Sequence, residues 1–251
     1  MHRFFVSPDC IRADAVTLTG SAARQLAHVL RARPGDRIVV LDDSGWEYLV
    51  TLEAVSPDRV FGVVTERLMS RGEPTASLTL YQGVLKADKF ELVLQKGTEL
   101  GVSTFVPVLC FRSVPGQKRG GWAANRYERW RRIVTEAAEQ SHRGRIPALE
   151  KPLEFAAACD RVKGIAFIPW EQQEEGTGLK TALERQMANG LDGSPVSVFI
   201  GPEGGFTPEE IEYAGARGVE PVSMGNRILR AETAGIAAVA LILYELGELG
   251  G

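Results

Sequence analysis

The apolar positions of the chain change their period near residue 70. Before it, short runs rich in β-branched and aromatic residues at 3–6, 15–19, 37–41, 48–55 and 59–66 predict strands. Pro34-Gly35-Asp36, Asp43-Ser44-Gly45 and Ser56-Pro57-Asp58 supply turns between several of them. One helix is expected among these strands, over 21–32, with Leu26, Val29 and Leu30 as its apolar stripe. Residues 69–74 are polar and broken by Gly and Pro, which places a boundary between a small β-rich domain at 1–70 and a second domain at 75–251.

After the boundary strands alternate with helices: strand 78–85, helix 89–100, strand 104–109, helix 123–140, strand 164–168, helix 179–188. This alternation predicts an α/β domain with a mostly parallel sheet covered on both faces. On the first of its helices Phe90, Val93, Leu94 and Gly97 mark the inward face, Asp88 and Glu91 have capping-box spacing, and Gly101 can end the helix. Lys86, Lys89 and Lys96 read as solvated charges, two of which are placed to face a nucleic acid.

The last two strand-to-helix connections are unusual. Val196, Val198, Phe199 and Ile200 form a buried-strand run that ends in Gly201-Pro202-Glu203-Gly204-Gly205, and Thr207, Pro208 and Glu210 then supply an N-cap, a first helical residue and a capping-box partner. A second short strand ends in Met224-Gly225-Asn226, ahead of a helix that begins near Glu232 and continues through Leu243. That helix is apolar nearly all round, which predicts burial. A single glycine cluster is as often a tight turn as a site. Two glycine turns, each between a strand end and a helix start, point to one cradle of main-chain amides.

Composition and charge narrow the chemistry. The 251 residues are 44% hydrophobic and 24% charged with net charge −3, a globular balance without an overall basic signature. Cys10, Cys110 and Cys159 are odd in number and far apart, which suggests reduced thiols and a cytoplasmic protein. The longest apolar run is too short to span a bilayer, and three scattered histidines make a metal site unexpected. Neither a Gly-x-Ser-x-Gly elbow, a P-loop nor a Gly-x-Gly-x-x-Gly fingerprint occurs. Charge is uneven, however: residues 112–145 hold nine Arg and Lys against three Glu. Arg126, Arg129 and Arg132 recur at spacing three on a helix whose Trp130, Ile133 and Val134 form the buried side, next to the loop 116–121. With Lys89 and Arg143, and with His28 and Arg31 at the end of the first helix, they are the candidate RNA contacts.

The residues 199–206, 224–234, 88–102 and 136–141, together with His28-Val29-Leu30-Arg31 followed by Pro34-Gly35-Asp36, closely resemble the RsmE family, SPOUT-class enzymes that methylate N3 of a uridine in bacterial 16S rRNA with S-adenosylmethionine. The resemblance runs nearly end to end. It implies an N-terminal PUA-like β-barrel, a C-terminal SPOUT α/β domain with a deep trefoil knot, and a homodimer formed through knot-region helices and acting on the small ribosomal subunit. It also implies a donor pocket lined by Ile200, Gly201, Glu203, Gly204 and Gly205 from one loop and by Met224, Gly225, Ile228 and Leu229 from the other.

Methyl transfer to N3 of uridine requires loss of the imide proton and stabilisation of charge on O2 and O4. Arg230 is the candidate for the charge, or for the phosphate of the target nucleotide. Glu232 or Glu203 is placed to accept the proton. Equally, Glu232 suits the positive start of the last helix, and Glu203 can organise its own loop. A knotted methyltransferase with another base or a ribose hydroxyl as target, and a non-catalytic RNA-binding protein, are the alternatives.

Overall fold

The computed structural model describes residues 1–86, 88–113, 124–172, 178–190 and 193–250. The chain divides into two compact units, Met1–Glu73 with Thr135–Ile146, and Pro74–Val134 with Pro147–Gly251.

In the first unit β1 (Arg3–Phe5), β2 (Ile11–Arg12), β3 (Ala15–Thr19), β4 (Arg37–Leu41), β5 (Trp46–Val55) and β6 (Arg59–Met69) form a curled sheet in the order β1-β4-β5-β6-β3-β2. All pairs are antiparallel except β1 with β4. Period-2 alternation sends Val16, Leu18, Ile38, Val40, Val50 and Leu52 to one core with Phe4 and Leu26. The helix expected over 21–32 is shorter and irregular. α1 (Gly20–Arg24) passes into a π-helical turn at Gln25–Val29, and Arg31 then adopts φ 52°. A wider turn shifts the phase of the following side chains. Leu26 therefore stays buried while Val29, expected on the apolar stripe, is 73% exposed. The segment Thr135–Ile146 belongs to this unit through Glu139, which accepts the Phe5 N–H at 2.9 Å, and through the Gly45 N–H bond to the Gly144 carbonyl.

The second unit contains β7 (Leu78–Gly83), α2 (Asp88–Leu100), β8 (Thr104–Leu109), α3 (Ala124–Gln140, shared with the first unit), β9 (Ala148–Leu149), β10 (Leu153–Glu154), α4 (Phe155–Cys159), β11 (Ile165–Pro169), α5 (Leu179–Ala188), β12 (Val196–Ile200), α6 (Pro208–Gly215), β13 (Glu220–Val222) and α7 (Ala231–Glu245). Its sheet is wholly parallel in the order β10-β8-β7-β12-β11-β13, with β9 also on β8. Every residue of β12 is buried, as a strand covered on both faces must be. Tyr81 stacks on Phe199 across β7 and β12 with ring centroids 4.2 Å apart. α2 packs on α7, where Gly235 lets the helix approach the buried Gln82 and Val93. Burial of α7 is one-sided, though. Gly235, Ala238, Val239, Ile242 and Leu243 face the sheet, whereas Leu241 and Tyr244 are 49% and 61% exposed. The expectation of a helix buried all round fails within one chain, because only one layer of structure covers it.

Candidate active site

In a parallel sheet all strands end on the same side, and the loops beyond those ends form the natural crevice for a ligand. Here β12, β11 and β13 are neighbours, so three connections meet: residues 201–206 after β12, Trp170 and Glu171 after β11, and residues 223–230 after β13. They enclose a cavity of about 670 Å³, lined by Ile200, Gly201, Glu203, Gly205, Met224, Gly225, Ile228 and Leu229 among others. Both glycine turns thus border one space.

The first turn is braced from several sides. The capping box is formed as the sequence predicts, with Glu210 N–H bonded to Thr207 Oγ1 at 3.2 Å and Thr207 N–H to Glu210 Oε2 at 2.9 Å. The other oxygen of Glu210 accepts the Phe111 N–H at 2.8 Å. Arg112 donates from Nη1 to the carbonyls of Gly204 and Phe206 at 3.0 and 3.2 Å. Gly204 therefore faces Arg112 instead of the cavity: a Cβ there would lie 2.9 Å from that of Arg112. Gly83 underlies the turn so closely that a Cβ on it would come within 2.5 Å of Pro202 N.

The second turn is anchored where it starts. Ser223 accepts the Leu179 N–H on its carbonyl and the Gly225 N–H on its hydroxyl, at 3.0 and 3.1 Å. Gly225 takes φ 97°, a backbone conformation that suits glycine. Residues 225–228 are exposed, and the turn ends at Arg230, the N-cap of α7.

Two of the charged candidates are engaged with the connection between β7 and α2 and with the first turn of α2. Glu203 Oε1 accepts the Lys86 N–H at 3.1 Å. Glu232 forms an ion pair with Lys89 at 3.2 Å, its side chain only 12% exposed. Its own backbone amide at the start of α7, and then the Lys89 ammonium, hold the Glu232 carboxyl below the usual glutamate range. The guanidinium of Arg230 is exposed and borders the cavity.

An RNA methyltransferase domain family matches residues 72–243, and an RNA methyltransferase PUA domain family matches residues 18–65. The ribosomal RNA small subunit methyltransferase E of Bacillus subtilis (strain 168) is 31% identical over an alignment covering 100% of this chain and 99% of that protein. The chain belongs to the ribosomal RNA small subunit methyltransferase E family. The family member from Synechocystis sp. (strain ATCC 27184 / PCC 6803 / Kazusa) is 35% identical, over 96% of this chain and 77% of its own. The crystal structure of the Neisseria gonorrhoeae methyltransferase E bound to S-adenosyl methionine superimposes with a TM-score of 0.83 at 28% identity, covering 97% of both chains. The fold is accordingly a PUA-like N-terminal domain followed by the α/β domain of this family of SPOUT methyltransferases.

For a member of the methyltransferase E family the residues expected to meet RNA are dispersed. His28 and Arg31 are exposed in the first unit. Arg126, Arg129 and Arg132 are exposed on α3, with Trp130 and Val134 buried as predicted, and Arg129 also pairs with Glu91 at 2.6 Å. Arg143 has to be corrected. It is 3% exposed, and its Nε and Nη2 bond both oxygens of Glu73, so it fixes the Thr135–Ile146 segment and cannot reach a polyanion. The loop 116–121 and the expected helix start at Ala123 lie outside the described residues.

Sequence reasoning missed Pro169, Trp170 and Glu171, which line the cavity, and Arg227 beside Ile228. Trp170-Glu171 had one signal available, being polar and aromatic residues directly after a predicted strand. Among the described residues no group of His, Cys, Asp and Glu is arranged to hold a metal, and no helix is long and apolar enough to cross a membrane.

Proposed function

We propose that the protein transfers the methyl group of S-adenosylmethionine to N3 of a specific uridine in 16S rRNA of the small ribosomal subunit. One observation carries this reading: the two glycine turns border a single cavity at the C-terminal edge of a parallel sheet. The cavity fits the donor. Its volume lies within the range of about 300–1,000 Å³ typical of cofactor sites. A Cβ at Gly225 would meet nothing within 4 Å, and one at Gly205 only Glu171, so main-chain groups at both turns are open to a ligand. S-adenosylmethionine supplies an electrophilic methyl when bound. Ile200, Gly201, Gly205, Met224, Gly225, Ile228 and Leu229 would hold it, with Glu203 keeping the first turn in place through Lys86.

Arg230 presents a cation at the cavity and would stabilise the negative charge that develops on the uracil oxygens. Glu232 would accept the proton, with Lys89 fixing its orientation. The N-terminal unit, with His28 and Arg31, and the face of α3 bearing Arg126, Arg129 and Arg132 would hold RNA backbone. The exposed Leu92, Leu241 and Tyr244 support a homodimer through α2 and α7. The placement of β13 on the far side of β11 from β12 supports the trefoil knot. A cytoplasmic location follows from the substrate.

The test is methylation of small subunits from a strain lacking the enzyme, read by mass spectrometry of the nucleosides. Appearance of 3-methyluridine and a new primer-extension stop is expected. A methyl on another nucleoside would replace the target assignment, and failure to bind S-adenosylmethionine by calorimetry would leave a non-catalytic RNA-binding protein.

A further inference from the structure

Three carboxylates border the cavity: Glu171, Glu203 and Glu232. They are not equivalent. Glu203 receives the Lys86 amide and Glu232 the Lys89 ammonium. Glu171 makes no hydrogen bond or ion pair among the described residues, and it lies against the braced turn, its Oε2 and Oε1 at 3.7 and 3.9 Å from where a Cβ on Gly205 would stand. It is exposed and follows β11, the strand between those that carry the two glycine turns, so it borders the cavity between them.

The ligand proposed above brings two positive groups, a sulfonium and the α-ammonium of its methionine part. A cationic group entering a partly enclosed site needs an anion that is not already neutralised. Lys89, Arg227 and Arg230 are themselves cations, both oxygens of Glu232 face the Lys89 ammonium, and one oxygen of Glu203 is taken by the Lys86 amide. Resting on the proposed function, we propose that Glu171 is the anionic subsite of the donor pocket and binds the α-ammonium of the methionine moiety by a charge-assisted hydrogen bond. Its place at the end of β11 gives the donor a third attachment besides the two turns and fixes the end of the molecule away from adenine.

The experiment compares calorimetric binding of S-adenosylmethionine, S-adenosylhomocysteine and 5′-methylthioadenosine to the wild-type chain and to Glu171→Gln, with Glu171→Asp as the charge-retaining variant. The first two ligands carry the ammonium, whereas the third keeps only adenine, ribose and thioether. Glu171→Gln is expected to weaken the first two by about tenfold or more, to leave the third unchanged, and to be partly rescued by Glu171→Asp. Equal weakening of all three would assign Glu171 to the ribose or to the turn itself and overturn the proposal, as would unchanged binding of all three. Unchanged thermal melting of both variants confirms that the fold is intact. If the wild-type chain bound none of the three, the methyltransferase reading itself would fail, an outcome distinct from failure of the Glu171 assignment.

Discussion

The two glycine turns look alike in sequence and are built differently. The first is held by Arg112 on two carbonyls, by a capping box whose glutamate also ties down Phe111, by the Lys86 amide on Glu203, and by Gly83 packed directly beneath it. In the second, residues 224–229 make one hydrogen bond among the described residues, from Gly225 N–H to Ser223, and Ile228 is 86% exposed. The contrast teaches that one half of the cradle is preorganised by the protein, at no ordering cost when a ligand arrives, while the other half offers open main chain and side chains that a ligand or RNA must complete. The catalytic candidate Arg230 belongs to the open half.

Substitutions can break or sharpen that contrast. The largest effect is expected from Arg230→Ala, which should lower kcat by about 10²–10³-fold if its guanidinium stabilises the developing charge, with the Kd for S-adenosylmethionine nearly unchanged. A normal turnover rate would remove Arg230 from the mechanism. Gly83→Ala forces a Cβ to 2.5 Å from Pro202 N and 2.8 Å from Gly201 C. Overpacking of that kind costs about 1–3 kcal/mol, so a lowered Tm and weakened donor binding should appear together in melting and calorimetry. The matched change in the open turn, Gly225→Ala, meets no atom within 4 Å and suffers only backbone strain. Its cost is about 1–2 kcal/mol with no clash against the first turn, so loss of donor binding out of proportion to the fall in Tm would refute the distinction between the turns.

Arg112→Ala, which removes two hydrogen bonds from an exposed side chain, should raise the donor Kd by only a few-fold. Lys89→Met gives the smallest change and tests the role of Glu232 through pH. Glu232 has a depressed folded pKa, so its contribution to stability is present above its unfolded pKa and is lost as pH falls through the folded value. Removing Lys89 raises that folded value. The acid limb of the rate profile should therefore move to higher pH, while the plateau rate near neutrality changes little. An unmoved limb would mean that Glu232 is not the proton acceptor.

Much of the architecture was legible along the chain because its determinants are local. Period-2 and period-3.6 patterns gave the longer strands of both units, though not the two-residue β2, β9 and β10, and helices such as α5 at 179–188, and Thr207, Pro208 and Glu210 specified their own cap within four residues. The π-helical turn was not legible, since the pattern that ends in Val29 is compatible with an ordinary helix until the fit of Leu26 to the first unit's core is imposed. Arg143 was misread for a related reason. Its partner Glu73 stands seventy residues earlier, and a buried ion pair has the same sequence appearance as a basic surface.

What the sequence determined by itself is therefore most of the longer elements, the two glycine turns and the family they belong to. Only the tertiary structure decided which carboxylates are engaged and which is open, that Trp170 and Glu171 share the cavity, and that one face of α7 remains apolar and exposed. The physical reason is the order of the strands. Hydrogen bonding of β11 between β12 and β13 brings three loops from distant parts of the chain to one edge, and no local pattern of residues encodes that neighbourhood.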